Sequence, residues 1–240
     1  MTALYKYIPA KYVDAFVRRG EVLFRALSYF RNYEDEGVRG DELEGTKLHR
    51  PENGLEVTLT KTKEKIMLPH SFESAANEDD IFVFCLSTVF SSELAAEFKA
   101  GAVIEIHRPA KFISEVRAAL ARRASIKSKM LVHGEVKYYC KEEPPIVDWA
   151  LPERIAMSKL RGYESQHEYR IAFAVNDAFR IGNTNVRLVT PGERRPLRSH
   201  SHPERLLKLG SLTAACRVHH FDQDGAIPLL APKRTGADGY

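Results

Sequence analysis

The stretch KLRGYESQHEYRIAFAV, residues 159–175, decides the expected fold. Beyond Gly162 its side chains alternate as in a strand. One side consists of Tyr169, Ile171, Phe173 and Val175, and the other of Glu168, Arg170, Ala172 and Ala174. The strand begins with a carboxylate, Glu168, and a loop-to-strand junction holds such a side chain rigidly while its head group stays accessible. Gln166 lies on the same side if the chain is already extended there.

The most hydrophobic run, Ile81–Ser87, is too short for a buried helix and is expected to be a central strand ending at Ser87 and Thr88. Further strands are predicted at 3–8, 21–29, 55–60, 65–68, 102–107, 136–140, 180–181, 186–189 and 216–221. Helices are predicted at 9–19, from 91 or 92 to 101, at 109–123 and at 152–160. Because the strands cluster, the pattern favours an α+β fold with a mixed or antiparallel sheet and flanking helices.

The composition predicts one domain over residues 1–232 and a mobile tail over 233–240. The chain has 240 residues, 44% of them hydrophobic, which is enough for a substantial core. Its formal net charge of +4 permits an anionic partner without requiring one. Three scattered cysteines without a CxxC pair indicate reduced thiols in a cytoplasmic protein. No apolar window is long enough for a signal peptide or a membrane span, so we expect no membrane partner.

The usual short motifs of nucleotide-binding, hydrolytic and metalloprotease sites are absent from the sequence. His200 and His202 have no acidic or cysteine partner at ligand spacing, so we expect no metal there. Cys85 lies in a strand that should be buried, where a thiol is inert. Three elements remain as a candidate site: the first two strands with Lys6, Tyr7 and Arg25, the Ser87-Thr88 strand end, and the Gln166-x-Glu168 junction.

These elements carry a resemblance to known families. LYKY at 4–7, GEVLFRALSYFRNYED at 20–35, FCLS at 84–87 and K-x₃-Y-E-x-Q-x-E-Y-R-I from Lys159 onward resemble an uncharacterised bacterial domain family. The order of a basic or aromatic first strand, a serine-ending strand and a [Q/E]-x-E strand also resembles the ADP-ribosyltransferase superfamily. The resemblance covers residues 3–35, 81–90 and 157–175. It implies a split sheet and an enzyme that uses NAD as a substrate.

The resemblance also implies roles for individual residues. Glu168 matches the catalytic glutamate, and Gln166 matches the position that contacts the acceptor. Ser87 and Thr88 match the serine motif that supports the NAD site, and Arg25 or Lys6 takes the place of the basic NAD-binding residue. Tyr5, Tyr7 and Tyr29 are candidates for stacking on nicotinamide. The first strand departs from the superfamily pattern because LYKY contains neither arginine nor histidine.

By the same analogy we expect a toxin or phage-defence effector, with an antitoxin or another protein as partner. A carboxylate at position 166 would favour a cationic guanidinium acceptor, whereas the neutral amide of Gln166 matches another amide or a nucleobase edge. We therefore expect RNA, DNA or a nucleotide as the acceptor rather than protein arginine. The basic residues Arg194, Arg195, Arg198 and Arg205 would add phosphate contacts if they fold near the cleft.

Two alternatives from other functional classes remain open. One is a non-catalytic nucleic-acid-binding protein that uses the basic C-terminal third. The other is a Mg²⁺-dependent nuclease that uses the acidic loop residues Glu34, Asp35, Asp41, Glu42 and Glu44. Arg170 is expected to be a structural ion-pair partner for an acidic residue of the 34–44 loop.

Overall fold

Strands dominate the part of the chain that the computed structural model describes, which is residues 3–31, 41, 43–124, 126, 130–190, 192–193 and 203–221. The strands are β1 Leu4–Ile8, β2 Glu21–Ala26, β3 Thr46–His49, β4 Leu55–Thr58, β5 Lys65–Leu68, β6 Ser71–Ala75, β7 Ile81–Ser87, β8 Ala102–Ile106, β9 Val132–Glu135, β10 Lys137–Tyr139, β11 Ser158–Leu160, β12 Glu168–Ala174, β13 Asn185–Val189, β14 Glu204–Lys208 and β15 Cys216–His220. The α-helices are α1 Val13–Val17, α2 Leu27–Arg31, α3 Ser92–Glu97, α4 Pro109–Ala121 and α5 Pro152–Ala156. Short 3-10 helices cover Ala10–Tyr12, Val147–Ala150, Arg161–Gln166 and Ile181–Asn183. The predicted α+β class with antiparallel sheets and flanking helices is confirmed.

The central antiparallel sheet of eight strands divides at β7. One edge of β7 pairs with β12 along its whole length, from Glu168 opposite Ser87 to Ala174 opposite Ile81. The other edge pairs with two different strands: β2 near the start of β7, and β1 only at Ser87. β2 continues to β14, whereas β1 continues to β8 and then β15. The central strand therefore carries two diverging branches, with an opening between β1 and β2.

The two faces of this sheet have different chemistry because side chains alternate along each strand. On one face, Tyr169, Ile171 and Phe173 of β12 pack in the same core as Phe84 and as Phe112 of helix α4. On the opposite face, Ala172 and Ala174 pack with α2 and α5, but the same face becomes polar toward the Glu168 end of β12. The alternation predicted for this strand is thus confirmed, and each face has its own core.

Several local predictions from sequence are confirmed. Ser91 caps α3 by accepting a hydrogen bond from the Leu94 backbone N–H at 3.1 Å. The strands predicted at 55–60 and 65–68 are present as β4 and β5, which pair as an antiparallel hairpin. Gly20 ends the first helical segment with φ 61°, and a Cβ at that position would overlap the Gly210 carbonyl. Only glycine therefore fits this tight connection into β2.

Other predictions of secondary structure are wrong. The 152–160 helix stops at Ala156, and Lys159 lies instead in β11, which pairs in parallel with β10. The 21–29 strand ends at Ala26 because α2 begins at Leu27. No strand is predicted between 68 and 81, but residues 71–75 form β6. Residues 180–181 form no strand, and 136–140 belongs mainly to β10. β14 is a further strand that is not predicted from the sequence, and the predicted tail at 233–240 lies outside the described residues.

A second sheet of β13, β6 and β3 contains a buried lysine. The Lys47 side chain is 1% exposed, and its ammonium lies 4.8 Å from the Tyr139 ring centre and 5.3 Å from the Trp149 ring centre. Burial, and second the charge of Lys137, lower the pKa of Lys47 to about 8. Aromatic faces attract a cation, but they replace only part of the hydration that the ammonium loses.

We expect this lysine to make stability depend on alkaline pH. Below pH 8 Lys47 is charged in both the folded and the unfolded chain, so folding carries the full desolvation cost of burying its ammonium. Between about 8 and the ordinary value of 10.5 the folded chain loses its proton first, so the free energy of unfolding rises by up to about 1.4 kcal/mol per pH unit. Urea unfolding at pH 7.5 and 9.5 should show this rise in wild type relative to Lys47→Met. The exposed Lys61→Met serves as control and should keep the wild-type rise. If wild type and Lys47→Met showed the same pH dependence, the lowered pKa of Lys47 would be contradicted.

None of the helices in the described residues is long and apolar enough to cross a lipid bilayer.

Candidate functional site

A cleft of about 650 Å³ lies where the central sheet divides. Its floor is the part of β7 between Val83 and Ser87, and β1 and β2 form its two sides. Register explains which side chains face it: Arg25 is opposite Val83, and both Tyr5 and Glu168 are opposite Ser87. Partners in register point to the same face of a sheet. The division of the sheet therefore collects polar side chains from four strands, β1, β2, β7 and β12.

Glu168 is held at the start of β12 by bonds from several elements. The Ser87 hydroxyl donates to the Gln166 carbonyl at 2.9 Å, and the Glu168 backbone N–H donates to the Tyr138 hydroxyl at 2.9 Å. Between them, His167 adopts a left-handed conformation with φ 43°, which is uncommon for a residue other than glycine. The chain is therefore not extended at Gln166, contrary to the condition under which Gln166 and Glu168 were expected to share a side.

Lys159 nevertheless brings the two side chains together. Its ammonium donates to Gln166 Oε1 at 2.9 Å and to Glu168 Oε2 at 3.3 Å, and it lies 4.3 Å from the Tyr163 ring centre. Lys159 is 5% exposed, and it lines the cleft together with Gln166 and Glu168. The spacing K-x₃-Y-x₂-Q-x-E in the sequence thus corresponds to one lysine surrounded by three side chains from the turn that follows it.

Arg170 joins Glu168 to a second buried carboxylate. Its Nε donates to Glu168 Oε1 at 2.6 Å, and its Nη1 and Nη2 donate to the two oxygens of Glu44 at 2.6 and 2.8 Å. Arg170 and Glu44 are each 1% exposed. The expectation that Arg170 pairs with an acidic residue of the 34–44 loop is confirmed. The buried ion network therefore connects β12 to Glu44, and its members Glu168 and Arg170 also line the cleft.

Charge interactions set the protonation of these groups. Burial raises the pKa of Glu168, but Arg170 and Lys159 outweigh it and hold that pKa well below its ordinary range. Burial and the Glu168 charge raise the pKa of the Cys85 thiol, which stays protonated. Burial and the Glu44 charge raise the pKa of Asp41 to about 6. Glu168 is thus a carboxylate, and its neighbour Cys85 is not a thiolate.

Cations and aromatic rings from the β1 and β2 sides complete the cleft. The Lys6 ammonium donates to the Cys85 carbonyl at 2.7 Å, in the opening where β7 has no neighbouring strand, and it lies 4.4 Å from the Phe84 ring centre. The Arg25 guanidinium pairs with Glu204 at 2.7 Å and lies 4.3 Å from the Tyr29 ring centre. Lysine has three donors and arginine five, so each can bind a further acceptor.

Six of the seven candidate residues line this one cleft. They are Lys6, Tyr7, Arg25, Ser87, Gln166 and Glu168. The seventh, Thr88, lies outside the lining, where its backbone N–H and its hydroxyl donate to the His167 carbonyl at 2.9 and 3.3 Å. Tyr5 and Tyr29 also line the cleft, whereas the Tyr7 hydroxyl is bonded to the backbone of Val89 and Ser91.

One expectation about an individual residue is wrong. Glu168 was expected at an accessible strand end, but it is 5% exposed and belongs to a buried ion network, so its removal should also affect folding. Arg25 forms its ion pair with Glu204 on β14. The register of β14 against β2 places Glu204 directly opposite Arg25.

Sequence reasoning missed Lys159 and Glu44 as site-forming residues. Lys159 received no predicted role, although its fixed spacing to Tyr163, Gln166 and Glu168 was a usable signal. Glu44 is 126 residues away from Arg170, and no spacing rule connects them. Tyr138 was missed as well, although burial raises the pKa of its hydroxyl to about 12 and keeps it neutral beside Glu168.

The structure describes only part of the two alternative sites, the acidic loop and the basic arginine run. Glu44 is bound to Arg170, and Asp41 is 2% exposed and accepts the Leu43 backbone N–H, so these two members of the acidic loop do not form an open Mg²⁺ site. Glu34, Asp35 and Glu42 lie outside the described residues, as do Arg194, Arg195 and Arg198. Arg205 is described, and its guanidinium packs 4.8 Å from the Phe82 ring centre.

The chain matches no protein-family model, and neither a curated protein nor a solved structure is significantly similar to it.

Proposed function

We propose that the chain is an ADP-ribosyltransferase-like enzyme that uses NAD as a substrate in the cleft of the divided sheet. The observation that carries this proposal is the convergence of Glu168, Gln166, Ser87, Lys6 and Arg25 on one cleft of about 650 Å³. That volume is within the range of about 300–1,000 Å³ typical of small-molecule sites. The division at β7 supports an ADP-ribosyltransferase-like split sheet as the finer description of the fold.

The proposed reaction breaks the bond between nicotinamide and C1′ of its ribose. Nicotinamide leaves with the bonding electron pair, C1′ acquires oxocarbenium character, an acceptor atom then bonds to C1′, and the acceptor's proton passes to solvent. A fixed carboxylate stabilises the developing positive charge more than it stabilises the ground state. Glu168 suits this role because Arg170 and Lys159 keep it ionised. Its Oε2 contacts are 3.3 Å, against 2.6 Å at Oε1, so Oε2 is the less tightly held oxygen and the one we assign to a ribose hydroxyl.

The cations and rings that β1 and β2 bring to the cleft suit the rest of a dinucleotide. A pyrophosphate requires cationic donors, and arginine binds two oxygens at once. Arg25 and Lys6 are the donors we assign to it. Tyr5 and Tyr29, which line the same cleft, offer faces for the nicotinamide ring.

The proposed acceptor is RNA or DNA. Gln166 Oε1 accepts from Lys159, which fixes the orientation of the amide at the edge of the cleft. A fixed amide distinguishes hydrogen-bonding edges, as it does when it reads adenine. A cytoplasmic toxin or phage-defence role, restrained by an antitoxin, remains the biological setting that we propose by analogy.

NAD binding is the first test. At a hundredfold excess over its dissociation constant, NAD should raise the free energy of unfolding by about 2.7 kcal/mol. For a chain of this size that corresponds to a melting-temperature increase on the order of 5–10 °C. Arg25→Gln should weaken NAD binding by about tenfold or more, since a charged hydrogen bond contributes about 1.5–3 kcal/mol. Arg161→Gln, which removes an exposed arginine of a surface ion pair, is the matched control. No thermal shift and no calorimetric heat at millimolar NAD would exclude the proposed substrate.

A further inference from the structure

Helix α4 presents a strongly basic outer face. Residues 108–123 contain five cations, Arg108, Lys111, Arg117, Arg122 and Arg123, and a single carboxylate, Glu115. All five cations are exposed. At 3.6 residues per turn, Arg108, Lys111 and Arg122 fall on one side of the helix, and Arg117 falls on the other side of its outer surface. The row from Arg108 to Arg122 is about 21 Å long, from fourteen steps of about 1.5 Å each.

The inner face of the helix accounts for its place in the fold but not for these charges. Phe112, Val116 and Leu120 are fully buried against the central sheet. At the end of the helix, Arg123 donates to the Leu206 carbonyl of β14 at 2.6 Å, which fixes the helix against that strand. Among the described residues no carboxylate lies within salt-bridge distance of Arg108, Lys111 or Arg122. Burial, and second the charge of Arg117, lower the pKa of His133, which places Arg117 toward β9.

We propose that the outer face of α4 is a docking surface for the phosphate backbone of a nucleic acid. A row of cations about 21 Å long spans several phosphates of one strand, since a DNA strand carries one charge per about 3.4 Å of helix axis. Glu115 lies within the row, one turn from Lys111, so the row of three cations carries a net charge of +2. The other outward side chains, Ala110, Ser114, Ala118 and Ala121, are small and exposed. These side chains are too small to insert into the apolar part of a membrane, which requires large apolar residues on an interfacial helix. Contacts of this kind position a protein on a nucleic acid without reading its sequence.

The α4 surface is separate from the cleft. The helix packs on the face of the central sheet formed by Ile171 and Phe173, whereas Glu168 and Arg170 lie on the opposite face. Binding at α4 would therefore bring the protein to nucleic acid without placing a base beside Glu168. The inference goes beyond the proposed reaction, and either one can fail while the other stands.

The test measures binding of fluorescent duplex DNA and single-stranded RNA over a series of salt concentrations. The triple variant Arg108→Gln, Lys111→Gln, Arg122→Gln should bind more weakly than wild type. The slope of log K against log salt should fall in magnitude by about 2.7 for the duplex, or by about 2 for the single strand, because three phosphate contacts are lost. Whichever probe loses more affinity in the triple variant is the nucleic acid that the α4 surface binds. Arg108→Lys with Arg122→Lys should retain wild-type binding because it keeps the charges.

The matched control is Lys61→Gln, Arg154→Gln, Arg180→Gln, which removes three exposed cations away from α4. This control should keep the wild-type salt slope, and circular dichroism should show that both triple variants are folded. An unchanged slope in the α4 variant, or an equal loss in the control, would overturn the proposal. It would also be overturned if neither nucleic acid bound at 50 mM salt, or if phosphatidylserine vesicles bound in preference to both.

Discussion

Glu168→Gln should lower the rate of nicotinamide release from NAD by about 10²–10³-fold per folded molecule. This is the effect of removing one charged group that stabilises the transition state, on the order of 3–4 kcal/mol. Glutamine keeps the size of the side chain and one hydrogen-bond acceptor, so the loss isolates the charge. Chromatography of the reaction mixture measures the released nicotinamide, and the folded fraction comes from circular dichroism of the same sample.

Glu44→Gln provides a closely matched control. Glu44 and Glu168 are both buried, and both accept hydrogen bonds from the Arg170 guanidinium at 2.6 Å, but only Glu168 lines the cleft. Both variants should melt at lower temperature, since each removes a carboxylate from the same ion network. Glu44→Gln should retain the rate per folded molecule to within a few-fold. Equal losses of rate in the two variants would show that Glu168 acts only through the network.

Arg170→Met should be the most destabilising single change at the site. It leaves two buried carboxylates, Glu44 and Glu168, without their shared guanidinium, and removing one partner of a buried ion pair costs about 3–5 kcal/mol. For a chain of this length the melting temperature should fall by on the order of 10 °C. Arg161→Met, in an exposed pair with Glu143, should cost less than about 1 kcal/mol.

A double-mutant cycle separates the network from the loss of arginine packing. Arg170→Met combined with Glu44→Gln should be less destabilised than the sum of the two single variants, because the double variant has one fewer unpaired buried charge. The contribution of the Glu168 carboxylate to stability is present above the ordinary pKa of 4.5 and is lost as the pH falls toward its lowered pKa. Arg170→Met should therefore lose less stability than wild type on acidification. Additive single effects, measured by urea unfolding at neutral pH, would contradict a coupled network.

The apolar pattern of the sequence was sufficient to predict the main strands and the long helix α4. The alternation of 168–174, the continuous apolar run of β7 and the one-sided pattern of α4 all follow from burial, which acts on each residue locally. β14 was not predicted because only Leu207 of its five residues is buried, so the segment lacks an apolar pattern. An edge strand with charged residues has the composition of a loop. β3 was not predicted for the opposite reason. All four of its residues are buried, but Lys47 and His49 among them are polar residues that normally indicate an exposed segment.

The candidate site was only partly predictable from sequence. The order of the motifs identified the strands that converge, and six of the seven residues line one cleft. The environment of Glu168 was not predictable, because its burial depends on Arg170 bonding to Glu44, which is distant in the chain. The left-handed turn at His167 is also a product of tertiary bonds to Ser87 and Thr88, and local propensity does not favour it.

The most direct test of NAD cleavage in this cleft is proton NMR of NAD incubated with the purified chain, with total RNA, single-stranded DNA and cell protein as separate acceptors. We expect free nicotinamide to accumulate in wild type, with the ADP-ribose moiety transferred to a nucleic acid, and to be nearly absent in Glu168→Gln. NAD that remains intact with every acceptor, in a sample that binds NAD and is fully folded, would contradict the proposed enzyme.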